Sequence, residues 1–387
     1  MGLRETCWVV CLAGLPFSNF LNRSLDLWHG HAMWIECWLP ILVGLNFFYS
    51  TPPRPPNKAF GVWIGLVGLS TVGLWYVLAG QAKAYPVSLL MPLLHLLALV
   101  VFIWSAWMSW TASFVTKLLT WIGLSGLLSL VYGLVQVANV DQFFKPLLAS
   151  ATRDALVGTI GNYNHFAVYL AMLLPIYLWM KTRWKYLFLA VLLVLVLLTR
   201  SDAGYLSVAA VLLWEFYHRS RRVFFWMLFL GTVLFIYAWT YDDSAIASLR
   251  NRLERWGFYW QIAKDKFITG QGPGMVFEYA KTIDLADANN TPHHPLWHWR
   301  HVHNEYLQIL VEQGLLGLMA FGYLVIDAAK SAWRLRAHRE ARVCAGMLLA
   351  ILSNALFNFP FHLWMLSSLG LMAYVGIKVI EAESCPS

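Results

Sequence analysis

Long apolar runs separated by short polar turns fill most of the chain, and one polar stretch interrupts the rhythm. The runs cover roughly 6–22, 28–50, 59–80, 87–110, 112–138, 164–180, 186–200, 204–218, 223–240, 305–328, 343–359 and 361–380. A helix needs ~20 residues to cross a bilayer, so the pattern predicts about twelve transmembrane helices. Pro16 interrupts the first run, but no small-residue cleavage site follows it, and it reads as a span rather than a signal peptide. The polar stretch, 241–303, lies between the ninth and tenth predicted helices and is expected to be one long loop. It ends in His301-Val302-His303-Asn304-Glu305-Tyr306, and an apolar run follows at once. Most arginines and histidines able to do chemistry are thereby delivered to the mouth of a helix bundle. That arrangement points to chemistry at a membrane surface, on a lipid-borne substrate.

Composition agrees. Hydrophobic residues make up 59% and charged residues 12%, against about 25% charged in soluble domains. Residues 1–387 are read as a single integral membrane domain of all-α, polytopic class. The 21 Trp and 17 Tyr suit the interfacial belts of such a bundle. Arg54, Lys58, Lys181, Arg183, Lys185, Arg219, Arg221, Arg222, Lys330, Arg334, Arg336, Arg339 and Arg342 fall in alternate loops. Positive-inside bias assigns those loops and both termini to the cytoplasm, and the 241–303 loop to the outside. The same loops explain most of the net charge of +8, so no nucleic-acid partner is required. The run Pro52-Pro53-Arg54-Pro55-Pro56 reads as a stiff inner turn. Lys330 to Arg342 reads either as a short helix on an anionic leaflet or as a topology determinant. The five cysteines include no CxxC pair and none lies in the long loop, so disulfides and thiolate metal sites are not expected.

Three constellations carry possible chemistry. Gly158 to Leu170 contains Asn162, Asn164 and His165 at the outer entrance to the sixth span, two amides and an imidazole at the membrane edge. The plainer reading is a capped helix start, with Asn162 or Asn164 as N-cap. Thr199-Arg200-Ser201-Asp202-Ala203-Gly204 forms an outer turn whose arginine closes an apolar run, and membrane-edge arginines are costly and by default functional. Snorkelling to headgroups, or a local pair with Asp202, is the alternative. The long loop contributes Arg250, Arg252 and Arg255, then Gly270-Gln271-Gly272-Pro273-Gly274, then His293, His294, His298, Arg300, His301 and His303. Paired guanidinium groups suit phosphate oxygens, because each donates two parallel charge-assisted hydrogen bonds. The glycine turn could offer backbone N–H groups to an anion. The histidines form no His-Glu-x-x-His site, because Pro295 follows His294 where that pattern has Glu, and nearby carboxylates are sparse, so no metal site is expected.

In order along the chain, these stretches resemble the O-antigen ligase and polymerase superfamily of bacterial membrane glycosyltransferases. Gly161-Asn162-Tyr163-Asn164-His165-Phe166-Ala167 resembles the family's Asn-x-Asn-His-Phe-Ala helix start. Thr199-Arg200-Ser201 with Gly204 resembles its threonine-serine-arginine-glycine turn, with the arginine and serine in swapped order. Arg252-Leu253-Glu254-Arg255-Trp256 followed by Gly270-Gln271-Gly272-Pro273-Gly274 resembles its arginine–tryptophan and glycine segment. His303-Asn304-Glu305-Tyr306-Leu307 with Glu312-Gln313-Gly314 resembles its most recognisable block, and Asn358-Phe359-Pro360-Phe361-His362 fits a late one. The similarity spans about 155–375.

The resemblance implies a glycan donor linked by pyrophosphate to undecaprenol, used on the periplasmic face of a bacterial inner membrane. The acceptor would be a hydroxyl on lipid A-core, another glycan or a protein. It implies Arg200 and Arg252 as catalytic groups that stabilise charge on the departing pyrophosphate. His303 is the implied proton-transfer residue. Arg255, Asn162, Asn164, His165, Asn304, Gly272 and Gly274 are expected to bind substrate. No cofactor is expected, and direct hydroxyl attack would invert the anomeric carbon. Ligase, repeat-unit polymerase and protein O-oligosaccharyltransferase share these motifs, with the ligase favoured because the chain is short. A transporter or flippase for an anionic lipid, and a structural or assembly protein, are the readings from other classes.

Overall fold

A computed structural model describes residues 1–22, 27–48, 90–141, 156–241, 243–276 and 301–384, with scattered positions between 58 and 68. The expected span 59–80 and the proline run 52–56 fall largely outside these residues, as do His293, His294, His298 and Arg300. The described elements are helices. They are α1 (Leu3–Gly14), continued by a 3-10 turn (Leu15–Asn22), α2 (Leu27–Phe48), α3 (Leu90–Ser109), α4 (Ala112–Val137) and α5 (Tyr163–Trp179). Then come α6 (Lys185–Thr199), α7 (Asp202–Arg219), α8 (Arg221–Tyr241) and α9 (Asp243–Asp265). The last three are α10 (Glu305–Arg334), α11 (Arg339–Asn354) and α12 (Trp364–Ser384), the final pair joined through a 3-10 turn at Pro360–His362.

Helices fall where the apolar runs predicted them, usually within a few residues. Three of those described are long and apolar enough by length and composition to cross a bilayer: Ala112–Val137, Glu305–Arg334 and Trp364–Ser384. Others are short, such as the 17 residues of α5 and the 15 of α6. The fold is thus an all-α bundle of membrane type. Lys330–Arg342 is no separate surface helix, since it comprises the end of α10, a turn and the start of α11.

Capping explains several helix starts. Thr111, Asn162, Ser201 and Asn304 each turn a side-chain oxygen back on a backbone N–H of the first turn, satisfying donors that lack a partner in the helix. Buried helices fill the centre. α5 is covered on every side from His165 to Tyr177, as a helix hydrophobic all round must be. It packs against α4, α6, α7 and α11, and α11 packs in turn on α7 and α12. Small residues set the spacing: a Cβ on Gly204 would lie 2.4 Å from Ala167, and one on Gly346 would lie 2.8 Å from Pro175.

One helix is broken. Within α10, Gly314 takes φ +67 and ψ −168, which leaves local carbonyls and amides without helical partners. The segment after α9 fills the gap. Gln271 N and Gly272 N donate to Val311 O and Glu312 O at 2.8 Å, and Leu315 N and Leu316 N donate to Phe267 O and Ile268 O at 2.8 and 3.2 Å. Gly270 and Gly314 meet face to face there, both with positive φ and with no room for a Cβ on either. Only glycine allows that approach.

Candidate functional site

The expected outer segment 241–303 opens with a helix, α9, which sets Arg252 and Arg255 one turn apart on a half-buried face, while Glu254 is exposed. Arg252 lies over the Phe357 ring, 5.3 Å from its centroid, a cation–π distance. Burial pushes its guanidinium below the usual arginine range, and the nearby Asp202 and Tyr163 pull it back up. Arg255 is lowered mainly by burial, opposed by Tyr259 and reinforced by Arg252. Arginine stays charged under such shifts, so two desolvated cations stand side by side.

Each sequence motif connects to another here. Ser201 Oγ donates to Asn164 Oδ1 at 2.7 Å, tying the α5 entrance to the α6–α7 turn. Trp256 Nε1 donates to Val302 O at 3.2 Å, and its ring lies 6.1 Å from Phe357, tying α9 to the histidine segment and to the α11–α12 turn. Asn162 is the N-cap, accepting from Asn164 N and His165 N at 2.9 and 3.3 Å. The plainer reading therefore holds for Asn162, and it leaves the Asn164 side chain to reach Ser201. Asn304 likewise caps α10, accepting from Leu307 N at 3.0 Å.

Phe359 is the hub. His301 stacks on it at 3.9 Å, while His303 and buried His165 meet it edge-on at 5.2 and 5.7 Å. Residues two apart share a face of an extended backbone, so both rings start on one side. His303 adopts a left-handed φ of +55, and both rings meet one phenylalanine. Arg200 also takes a left-handed conformation, φ +53, as the C-cap of α6. A non-glycine residue there costs ~1–2 kcal/mol, and such strain concentrates at functional sites. The Arg200 side chain is exposed and makes no hydrogen bond or ion pair among the described residues, Asp202 included. Its swapped order has a local cause: Arg200 closes α6 while Ser201 opens α7, donating to Asn164 and accepting from Gly204 N.

The glycine turn departs from its expected use. The N–H groups of Gln271 and Gly272 are spent on α10 carbonyls, so the turn splices α9 to the break in α10 rather than opening those amides to an anion.

Three residues that motif reading left without a role form the base of this cluster. The His362 Nδ1 lies 2.7 Å from Glu305 Oε1, and its Nε2 lies 3.3 Å from Glu312 Oε2. Glu305 also accepts from Phe361 N at 2.9 Å, and its own N–H reaches Ala355 O. Both carboxylates are buried. Burial alone would lower the His362 pKa, but the two glutamates overcome it and hold the imidazole well above its usual value, as a cation. A signal for this existed in the sequence. Glu305 and Glu312 stand seven residues apart on one face of an apolar helix, which demands a buried cation. Among the described residues, buried Asn354 finds no hydrogen-bond partner for either amide atom, and buried Asn358 none for its Nδ2.

Fold and cluster define a helix bundle of membrane type that gathers arginine, histidine and aromatic side chains at one end. Residues 187–322 match the family model described as O-Antigen ligase. That segment of the chain is similar to the O-antigen ligase family, and the match includes Arg200, Arg252, Arg255, the glycine turn and His303. No curated protein matches the chain.

Proposed function

We propose that this protein is an inverting membrane glycosyltransferase that moves a glycan from undecaprenyl pyrophosphate to a hydroxyl acceptor. Its reading as the ligase that joins O-antigen to lipid A-core is favoured over a repeat-unit polymerase or a protein O-oligosaccharyltransferase. The bacterial inner membrane, with the cluster facing the periplasm, is the corresponding location. The observation that carries the reading is the half-buried Arg252–Arg255 pair beside the His303–Phe359 cluster.

The acceptor oxygen attacks the anomeric carbon as the bond to the pyrophosphate oxygen breaks, and the electron pair leaves with the phosphate. Arg252 and Arg255 receive that growing charge in a desolvated setting, where fixed donors count most. His303 takes the acceptor proton, and Arg200 supplies a further cation near the exposed rim. Buried amides on Asn354 and Asn358, without partners among the described residues, suit a polar ligand better than an apolar one. The glycine splice and the Glu305–His362–Glu312 triad hold α9, α10 and the histidine segment in one arrangement. The arginine and histidine groups crowd one end of the bundle, which favours surface transfer over a transporter's mid-membrane binding site. The test is mass spectrometry of products formed by purified protein from lipid-linked glycan and candidate acceptors. Glycosylated lipid A-core supports ligation, longer lipid-linked glycan supports polymerisation, and no product with any acceptor refutes transfer.

A further inference from the structure

The opposite end of the bundle holds a cavity that the proposed transfer does not use. It measures about 220 Å³ and lies between the start of α4, the end of α5 and the start of α11. The candidate site sits at the far ends of α5 and α11, a 17-residue helix away, or ~25 Å.

Thr116, Thr120, Lys181, Thr182, Arg339 and Glu340 supply the polar lining, above apolar side chains that include Leu119 and Val343. Thr116 and Thr120 spend their hydroxyl protons on their own helix, donating to Ala112 O and Thr116 O. Thr182 accepts from Trp184 N, so its O–H remains able to donate. Lys181 is exposed and makes no hydrogen bond or ion pair among the described residues. Arg339 uses one Nη on Trp179 O at 2.6 Å and keeps the rest of its fork. Glu340 is the one carboxylate of the lining. Glu215, bonded to the lining Trp179, is also engaged by Arg342 and Arg219. The cavity therefore presents donors in excess of acceptors.

Its mouth continues onto apolar surface. Below Thr120, the exposed side chains Leu124, Leu128 and Val131 run along α4 at helical spacing. Beside it, Arg183 and Lys185 lie over the rings of Trp184 and Tyr186, the mixed basic and aromatic edge of a membrane interface.

We propose that this cavity seats the phosphodiester headgroup of an anionic phospholipid, held by Lys181, Thr182 and Arg339, with an acyl chain along Leu124, Leu128 and Val131. A basic pocket between helices with an adjoining apolar track suits that ligand and no soluble one. The test is native mass spectrometry of the purified chain titrated with phosphatidylglycerol, beside Lys181→Gln and, as control, Lys185→Gln, which alters a cation outside the cavity. Lys181→Gln should weaken the first bound lipid about fivefold, with its melting temperature unchanged, and Lys185→Gln should leave that affinity as it was. Equal losses in the two variants, or none in Lys181→Gln, would overturn the proposal. So would equal competition by water-soluble glycerophosphoglycerol, because the acyl track would then contribute nothing.

Discussion

Replacing Gly270 by alanine tests whether the glycine splice holds the candidate site together. The added Cβ would lie 2.4 Å from both Glu312 O and Gly314 N, backbone atoms that cannot swing aside. The residue also keeps φ +73, which costs a residue with a Cβ ~1 kcal/mol or more. Relief requires moving 267–272 away from α10 and stretching the four backbone hydrogen bonds that close the break. Each is worth ~0.5–1.5 kcal/mol net. Losing two of them, with the backbone strain, destabilises the protein by ~2–4 kcal/mol. Glu312 shifts with the splice, so transfer activity should fall even where the variant remains folded. Thermal unfolding in detergent, followed by tryptophan fluorescence, reads the stability. Gly257→Ala is the control of opposite sign: it lies within α9 with nothing near its missing Cβ, and should stabilise by ~0.5–1 kcal/mol. A Gly270→Ala protein that melts no earlier than the unaltered one would refute this reasoning.

Three further outcomes are expected. Single cysteines at exposed Asn251 and Ala337, in a cysteine-free background, should react differently with an impermeant maleimide on intact cells: Asn251 labels and Ala337 does not, and the reverse would invert the orientation. The His362 pKa is raised in the fold, so its contribution to stability is full below about pH 6.5 and fades as pH rises through the raised value. His362→Gln should melt earlier at neutral pH and lose the alkaline decline, whereas parallel pH–melting curves would contradict the triad's charge. Transfer should persist in EDTA, because guanidinium groups supply the positive charge; loss restored by one divalent ion would contradict that.

Much of this fold is legible in the sequence because lipid imposes a simple rule. Apolar runs mark helices, and α4, α10 and α12 lie close to where hydrophobicity alone puts them. Three features escape that rule for identifiable reasons. α9 is polar and amphipathic, so a search for apolar spans reads it as loop. His303 takes a left-handed backbone conformation, which no hydropathy pattern reveals. The break at Gly314 is made by a segment over forty residues earlier in the chain, so the glycines of 270–274 read locally as an anion-binding turn. Motif positions were legible, but their supports were not. Arg252 needs Phe357, and Glu305 needs His362, each met only when the chain closes on itself.

The central claim is that Arg252 holds the departing pyrophosphate in a fork. The direct test is the transfer rate of Arg252→Lys, measured by product mass spectrometry beside Arg252→Ala. An ammonium keeps the charge but lacks the planar pair of donors. Losing one preorganised donor to a developing oxyanion costs ~10²–10³ in rate. Both variants should therefore fall by about that factor, with donor binding reduced and melting temperature unchanged. An Arg252→Lys protein that is folded and transfers at the full rate would contradict the account.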